Sequence, residues 1–132
     1  MDEKKLFDEV CACIRQTLQK ELPEMHESDR LVGDLGADSL DFLDLIFRLE
    51  QTFSVRVNPR DLERRTRAAL GDEPMVVNER YTAAAIAELR KAMPEVPEEE
   101  LYPDMPVERL AGCFRIKTFM NLVTYVRDNR EA

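Results

Sequence analysis

The chain has 132 residues, the length of a single domain that is large enough to bury a hydrophobic core. It carries 27 acidic side chains against 19 basic ones, and the net charge of −8 excludes nucleic acid or an anionic membrane as its main ligand. Three cysteines and no signal-peptide pattern indicate reduced thiols and a cytoplasmic location, and no apolar run approaches the ~20 residues of a membrane span.

The first predicted element is an amphipathic helix over residues 2 to 22, because apolar side chains recur there at spacings of three and four. Its predicted core positions are Phe7, Val10, Ile14 and Leu18. Pro23 is expected to end this helix, and residues 23 to 38 form a loop with Pro, Gly, Ser and Asp. Long loops in small domains are often functional, so the residue that follows this loop, Ser39, is a candidate site.

The second predicted helix runs from Ser39 to about residue 52, with Asp38 or Ser39 as its N-cap. It has two apolar stripes on nearly opposite faces. The stripe expected to face the core consists of Phe42, Leu45, Ile46, Leu49 and Phe53. The other stripe consists of Leu40, Leu43 and Phe47. Asp41 and Asp44 flank this second stripe, and an apolar strip edged by negative charge suits a basic protein partner.

The second half of the chain alternates short helices with proline-rich loops. Asn58 and Pro59 are expected to open a helix that ends at Gly71, and a further helix is predicted over residues 79 to 93. The segment from 94 to 106 is a loop.

A brief helix at 107 to 111 precedes the last one, which Thr118 is expected to cap. No stretch alternates apolar and polar residues long enough to require a sheet. The predicted fold class is therefore all-α, a helical bundle.

A family resemblance emerges around Ser39. The string Asp34-Leu35-Gly36-Ala37-Asp38-Ser39-Leu40-Asp41, with the helix that follows, resembles the modification site and second helix of acyl carrier proteins. The segment from Phe53 to Val57 with Pro59 resembles the next part of that family, and Ile116-Lys117-Thr118-Phe119 leading to Tyr125-Val126 is similar to its last helix. The resemblance implies an acyl-carrier-like four-helix bundle, a single domain over residues 1–132, with extra helices from an insertion at about 59–113.

The resemblance also implies a function. In that family a serine carries a 4′-phosphopantetheine arm, derived from coenzyme A, whose thiol holds acyl groups as thioesters. Ser39 is thus expected to be the attachment site, and Asp38 to orient metal and phosphate while a phosphopantetheinyl transferase acts. The residues expected to contact acyl-transferring or chain-extending enzymes are Leu40, Asp41, Leu43, Asp44 and Phe47. A monomer that holds the acyl chain in the bundle interior is expected, with no nucleic acid and no membrane span.

Catalysis by the chain itself is not predicted, so it is not expected to be an enzyme. The only histidine, His26, has no motif that links it to Ser39. Cys11 and Cys13 are two residues apart on a helix and do not face each other, so they are not expected to form a metal clip. The sequence also lacks a glycine-rich phosphate loop.

Three functions stay open at this stage. The first is a carrier for specialised fatty acid or lipid biosynthesis, which the insertion favours over bulk fatty acid synthesis. The second is a carrier of polyketide or aminoacyl groups. The third is a regulatory interaction module that has the carrier fold but no arm.

The insertion is expected to fold onto the carrier core, because short helices are marginal in water unless their apolar faces are covered.

Overall fold

The computed structural model describes residues 2–19, 21–22, 24–58 and 60–129. Its elements in chain order are α1 (Glu3–Leu18), α2 (Ser39–Phe53), α3 (Asp61–Leu70), β1 (Val76–Val77), β2 (Arg80–Tyr81), α4 (Ala83–Ala92), the 3-10 helices Glu98–Glu100 and Val107–Cys113, and α5 (Ile116–Asn129). The all-α prediction is confirmed, apart from the small hairpin. Over the described ranges, no helix is long and apolar enough to cross a membrane.

The chain divides into two compact units. Unit 1 consists of Met1–Asn58 and Phe114–Ala132, and unit 2 consists of Pro59–Cys113. Unit 2 therefore covers the stretch that the sequence resemblance left unmatched. The organisation as one domain with a packed insertion stays a prediction.

Unit 1 is built from α1, α2 and α5, with α1 packed against both other helices. Asp2 caps α1 by accepting the Lys5 backbone N–H at 2.8 Å. The side chains of the three helices that are 0% exposed are Val10, Ile14, Leu45, Leu49, Ile116, Phe119 and Val123. The predicted stripe of α1 is only partly right, because Phe7 and Leu18 are half-buried whereas Cys11 and Cys13 lie in the core.

Predicted helix boundaries differ from the structure at α1, α3 and α5, as well as at α4, which is described below. The first helix ends at Leu18 and not at residue 22, because Gln19 adopts a left-handed conformation (φ 52°) that terminates it; Pro23 lies outside the described residues. The third helix begins at Asp61, and its N-cap position is Arg60 and not Asn58. The last helix begins at Ile116, and Thr118 acts from inside its first turn by accepting the Arg115 N–H at 3.2 Å.

Unit 2 consists of α3, the hairpin, α4 and the two 3-10 helices. The helices α3 and α4 pack against each other, and Leu62, Ala85, Ile86 and Leu89 are buried. The predicted helix at 79 to 93 is shorter than expected, because residues 76–81 form the hairpin and Thr82 caps α4 through the Ala85 N–H at 3.1 Å. Tyr81 ties the hairpin to the following loop, since its N–H donates to the Met105 carbonyl at 2.9 Å.

Candidate functional site

Backbone pairing fixes the loop that leads to Ser39. Three hydrogen bonds join the loop to the start of α5 in an arrangement called here the backbone clamp. They run from Leu31 N–H to the Phe114 carbonyl (3.0 Å), from Ile116 N–H to the Asp29 carbonyl (3.0 Å) and from Lys117 N–H to the Glu27 carbonyl (2.9 Å). Because these groups bond to protein and not to water, the loop has a defined conformation before it reaches Ser39.

An ion pair and a glycine shape the rest of this loop. Asp34 Oδ2 accepts the Arg30 backbone N–H at 2.8 Å and the Arg30 Nε–H at 3.2 Å. The hydrogen bond from the Arg30 side chain holds the pKa of Asp34 below its ordinary value, so the carboxylate is ionised at neutral pH. Gly36 has φ 80°, in the left-handed region that glycine adopts without strain. Leu35 and Ala37 on either side of it are buried, which anchors the turn.

Ser39 is the first residue of α2, and its side chain is exposed. The N-cap is Asp38, whose Oδ1 accepts the Asp41 N–H at 2.9 Å, while Asp41 Oδ2 accepts the Asp38 N–H at 3.0 Å. This capping box satisfies the helix start without the serine. Of the residues that the structure describes, none forms a hydrogen bond to the Ser39 hydroxyl. The hydroxyl is therefore accessible and available for covalent modification.

The two apolar stripes of α2 separate as the sequence predicts. On the core stripe, Leu45, Ile46, Leu49 and Phe53 are buried and Phe42 is half-buried. On the other face Leu40, Leu43 and Phe47 are 75%, 61% and 58% exposed. These three residues form the apolar strip. Exposure of three large apolar side chains in a row that begins beside Ser39 indicates a contact surface.

The acidic edge of the apolar strip is weaker than the sequence suggests. Asp44 Oδ2 accepts the Arg48 Nε–H at 2.7 Å, and this bond lowers the pKa of Asp44. Arg48 also donates from Nη1 to Gln16 Oε1 at 3.4 Å, which connects it to α1. The carboxylate of Asp41 is used in the capping box. The strip is thus bordered by an ion pair and a capping carboxylate, and not by two free negative charges.

The other reactive side chains are an exposed loop histidine and buried cysteines. His26 has a 61% exposed side chain and pairs with Glu24 at 3.4 Å and with Asp29 at 3.8 Å. Burial raises the pKa of the Cys11 thiol to about 11, and Cys13 Sγ lies 3.3 Å from Thr52 Oγ1. Across the described part of the chain, no group of three His, Cys, Asp or Glu residues could hold a metal ion.

Sequence reasoning missed an aromatic cluster beside the serine. The ring of Phe42 lies 5.3 Å from that of Phe114 and 5.7 Å from that of Phe119, and these two rings are 5.7 Å apart. Phe42 was expected in the core, but no pattern in the sequence pairs it with Phe114 or Phe119. The signal that could have found the cluster is an aromatic residue three positions after Ser39 together with two at the start of the last helix.

Comparison with known proteins identifies the family. The phosphopantetheine attachment site family matches residues 8–72. An acyl carrier protein of Thermotoga maritima is 38% identical over 61 residues, which is 46% of this chain and 75% of that protein. This chain belongs to the acyl carrier protein family. Acyl carrier proteins of Prochlorococcus marinus (32% identical, 43% of this chain and 71% of that protein) and Campylobacter jejuni (36%, 44% and 75%) are also similar. No solved structure gives a significant match.

Membership of the acyl carrier protein family confirms the resemblance read from the sequence. The protein is a non-catalytic carrier whose prosthetic group is covalently attached 4′-phosphopantetheine, and its partners include a phosphopantetheinyl transferase and acyl-handling enzymes. The family match reaches residue 72 and so includes α3, which the sequence resemblance did not cover.

The structure fits the prosthetic group of the acyl carrier protein family. Ser39 offers an exposed hydroxyl that the capping box leaves unbonded. The start of a helix also favours the negative charge of a phosphodiester, because its first N–H groups have no partner within the helix. When bound, the group supplies a thiol that forms thioesters.

Proposed function

We propose that Ser39 carries the 4′-phosphopantetheine arm and that this protein holds acyl groups on it for specialised fatty acid or lipid biosynthesis in the cytoplasm. The observation that supports the site most strongly is the exposed Ser39 hydroxyl at the start of α2, left without a hydrogen bond by the Asp38–Asp41 capping box. This serine also lies within the part of the chain that the family matches.

Attachment requires the Ser39 oxygen to act as a nucleophile. Its Oγ forms a bond to the phosphorus of coenzyme A that carries the pantetheine, adenosine 3′,5′-bisphosphate leaves, and the hydroxyl proton passes to a base of the transferase. Asp38 uses Oδ1 for its cap bond, so we propose that Oδ2 helps to orient the divalent cation of the transferase. The backbone clamp and Gly36 position the loop so that Ser39 is held at a fixed place on the surface.

The test of the attachment site is a labelling experiment. The wild type, Ser39→Ala and Ser28→Ala are incubated with coenzyme A and a promiscuous phosphopantetheinyl transferase, and intact mass is measured. Ser28 is the matched control because it is an exposed serine of the same loop. We expect the wild type and Ser28→Ala to gain one arm and Ser39→Ala to gain none. An arm on Ser39→Ala, or no arm on the wild type, contradicts the proposal.

We propose that the apolar strip, with Asp41 and Asp44 at its border, binds the enzymes that act on the arm. Its large exposed side chains supply contact area, and the charges at its edge contribute to orientation more than to affinity. Replacing Leu43 or Phe47 by Ser should weaken binding of the transferase at least tenfold and leave the helix content unchanged. Gln51→Ala, an exposed position of the same helix, is the control. Equal affinity of all variants would exclude the strip as the contact surface.

The proposed cargo is a fatty acyl group carried by a monomer, with the chain directed from the thioester toward the interior of the bundle. A polyketide or aminoacyl cargo is the alternative, since the attachment motif does not encode the acyl group. A regulatory module without an arm is disfavoured by the match to the phosphopantetheine attachment family. Intact mass of the protein purified from its native host identifies the cargo, because the thioester is carried through a rapid acidic purification.

A further inference from the structure

The aromatic cluster of Phe42, Phe114 and Phe119 begins one helical turn from Ser39. Residues three apart on a helix lie on the same face, so the Phe42 ring and the Ser39 hydroxyl are neighbours on α2. Phe114 and Phe119 are 2% and 0% exposed, whereas Phe42 is only half-buried. Phe42 is therefore the outermost ring of the cluster and the one closest along the helix to the proposed attachment site.

The interior that continues from the cluster is closely packed. Leu45 and Leu49 follow Phe42 on the same stripe of α2, Val123 follows Phe119 on α5, and all three are 0% exposed. Rings whose centroids are 5.3 to 5.7 Å apart are in direct contact, in tilted and edge-to-face arrangements. An acyl chain that enters this closely packed core must displace side chains. Large displacements in a packed core are unfavourable.

Phe42 is the member of the cluster that can move most readily. Its half-buried ring can rotate toward solvent, while the other two rings are buried. The carbonyl of Phe114 is also held in the backbone clamp, which restricts that residue further. Of the three rings, Phe42 is therefore the one that lies nearest to Ser39 and has room to move.

We propose that Phe42 is a specificity-determining residue for cargo: its ring, held against Phe114 and Phe119, closes the bundle interior to long acyl chains and selects short acyl groups. This inference rests on the proposed attachment of the arm at Ser39. A short acyl group stays at the mouth of the interior and needs no displacement of the ring. A long chain stabilises the folded protein only if the Phe42 ring moves aside and the chain becomes buried. Each buried methylene then raises the folding equilibrium constant about fourfold.

The experiment measures how the protection of backbone amides from hydrogen exchange depends on the length of the acyl chain. The transferase loads the protein with butyryl, hexanoyl or dodecanoyl arms from the matching acyl-coenzyme A thioesters, and intact mass confirms the loading. Amide hydrogen exchange is then followed in peptides that cover residues 42–53 and 116–129. In the wild type we expect the same protection with hexanoyl as with dodecanoyl. In Phe42→Ala we expect exchange to slow at least about tenfold from hexanoyl to dodecanoyl, since two added methylenes already suffice for that factor.

Tyr125→Ala is the matched control, because it removes an aromatic ring from α5 outside the cluster and should behave as the wild type does. Phe42→Leu provides a milder variant with an intermediate increase, in case Phe42→Ala does not fold. A wild type whose protection rises through dodecanoyl as steeply as that of the Phe42 variants overturns the inference, as does a flat response in every variant. Absence of loading in the wild type and in all variants overturns the attachment site as well, so the two failures are distinguishable.

Discussion

Two substitutions of Asp38 can distinguish its structural role as a helix cap from its proposed role in attaching the arm. Its carboxylate caps α2 through the Asp41 N–H at 2.9 Å, and its own N–H donates to Asp41 Oδ2 at 3.0 Å. In Asp38→Ala the cap acceptor is lost, whereas in Asp38→Asn the amide oxygen can still accept the same N–H. Asparagine and aspartate are equivalent N-caps within a few tenths of a kcal/mol.

The expected loss of stability in Asp38→Ala is about 1 kcal/mol, the usual effect of deleting an N-cap side chain. The cost is not larger, because Asp38 is exposed and water can replace part of the lost bond. For a folding unit of roughly 60–100 residues this corresponds to a decrease in melting temperature of about 4–8 °C. Asp38→Asn should melt within about 2 °C of the wild type by the same conversion.

The rate of phosphopantetheine transfer then decides whether Asp38 does more than cap the helix. If the carboxylate orients the cation of the transferase, Asp38→Asn should slow transfer at least about tenfold in spite of its normal stability, since a neutral amide is a weaker ligand for a hard cation. Both variants are measured by thermal melting followed by circular dichroism and by the initial rate of mass gain. Transfer at the wild-type rate by Asp38→Asn would refute the proposed cation role and leave the cap as the sole function.

Three further predictions concern the loop and the strip. Gly36→Ala should lose about 1–2 kcal/mol in denaturant unfolding, because an L side chain is strained at φ 80°; unchanged stability would show that the turn can rearrange. The hydrogen bond from Arg30 lowers the pKa of Asp34 in the folded state, so the ionised carboxylate stabilises the fold at pH values above the unfolded pKa of about 4. This stabilisation is lost as the pH falls through the folded pKa. Asp34→Asn should accordingly be less stable than the wild type at pH 7, and the difference should shrink as the pH falls below about 4. A difference that stays constant with pH would mean that charge is not the cause. Arg48→Ala removes the cation that pairs with Asp44, so association with a basic transferase should be faster at low salt and more salt-dependent. An unchanged salt slope in stopped-flow measurements would argue against a contact at this edge.

The sequence predicted the features that depend on local pattern. The two stripes of α2 follow from helical periodicity alone, and one is buried while the other is exposed. The cap at Asp38 was one of two candidates, and only the capping box with Asp41 distinguishes it from Ser39. The attachment role of Ser39 came from the family motif, and it stays a prediction.

The features that the sequence did not predict depend on distant residues or on unusual backbone. The hairpin of unit 2 turns through Asn78 and Glu79, both with positive φ (53° and 64°), and a glutamate there gives no turn signal. Gln19 likewise ends α1 in a left-handed conformation that glycine usually adopts. The backbone clamp pairs segments that are far apart in the chain, and no local periodicity encodes such pairing.

The backbone clamp also sets an order of events during synthesis. Residues 27–31 leave the ribosome early, but their hydrogen-bond partners at 114–117 are made only after the whole of unit 2. Translation at about 5–20 residues per second separates the two segments by several seconds. During that interval the loop before Ser39 lacks the contacts that hold it, and closing so long a loop carries an entropic cost that only completed packing offsets. We therefore expect the transferase to add the arm only after α5 is complete.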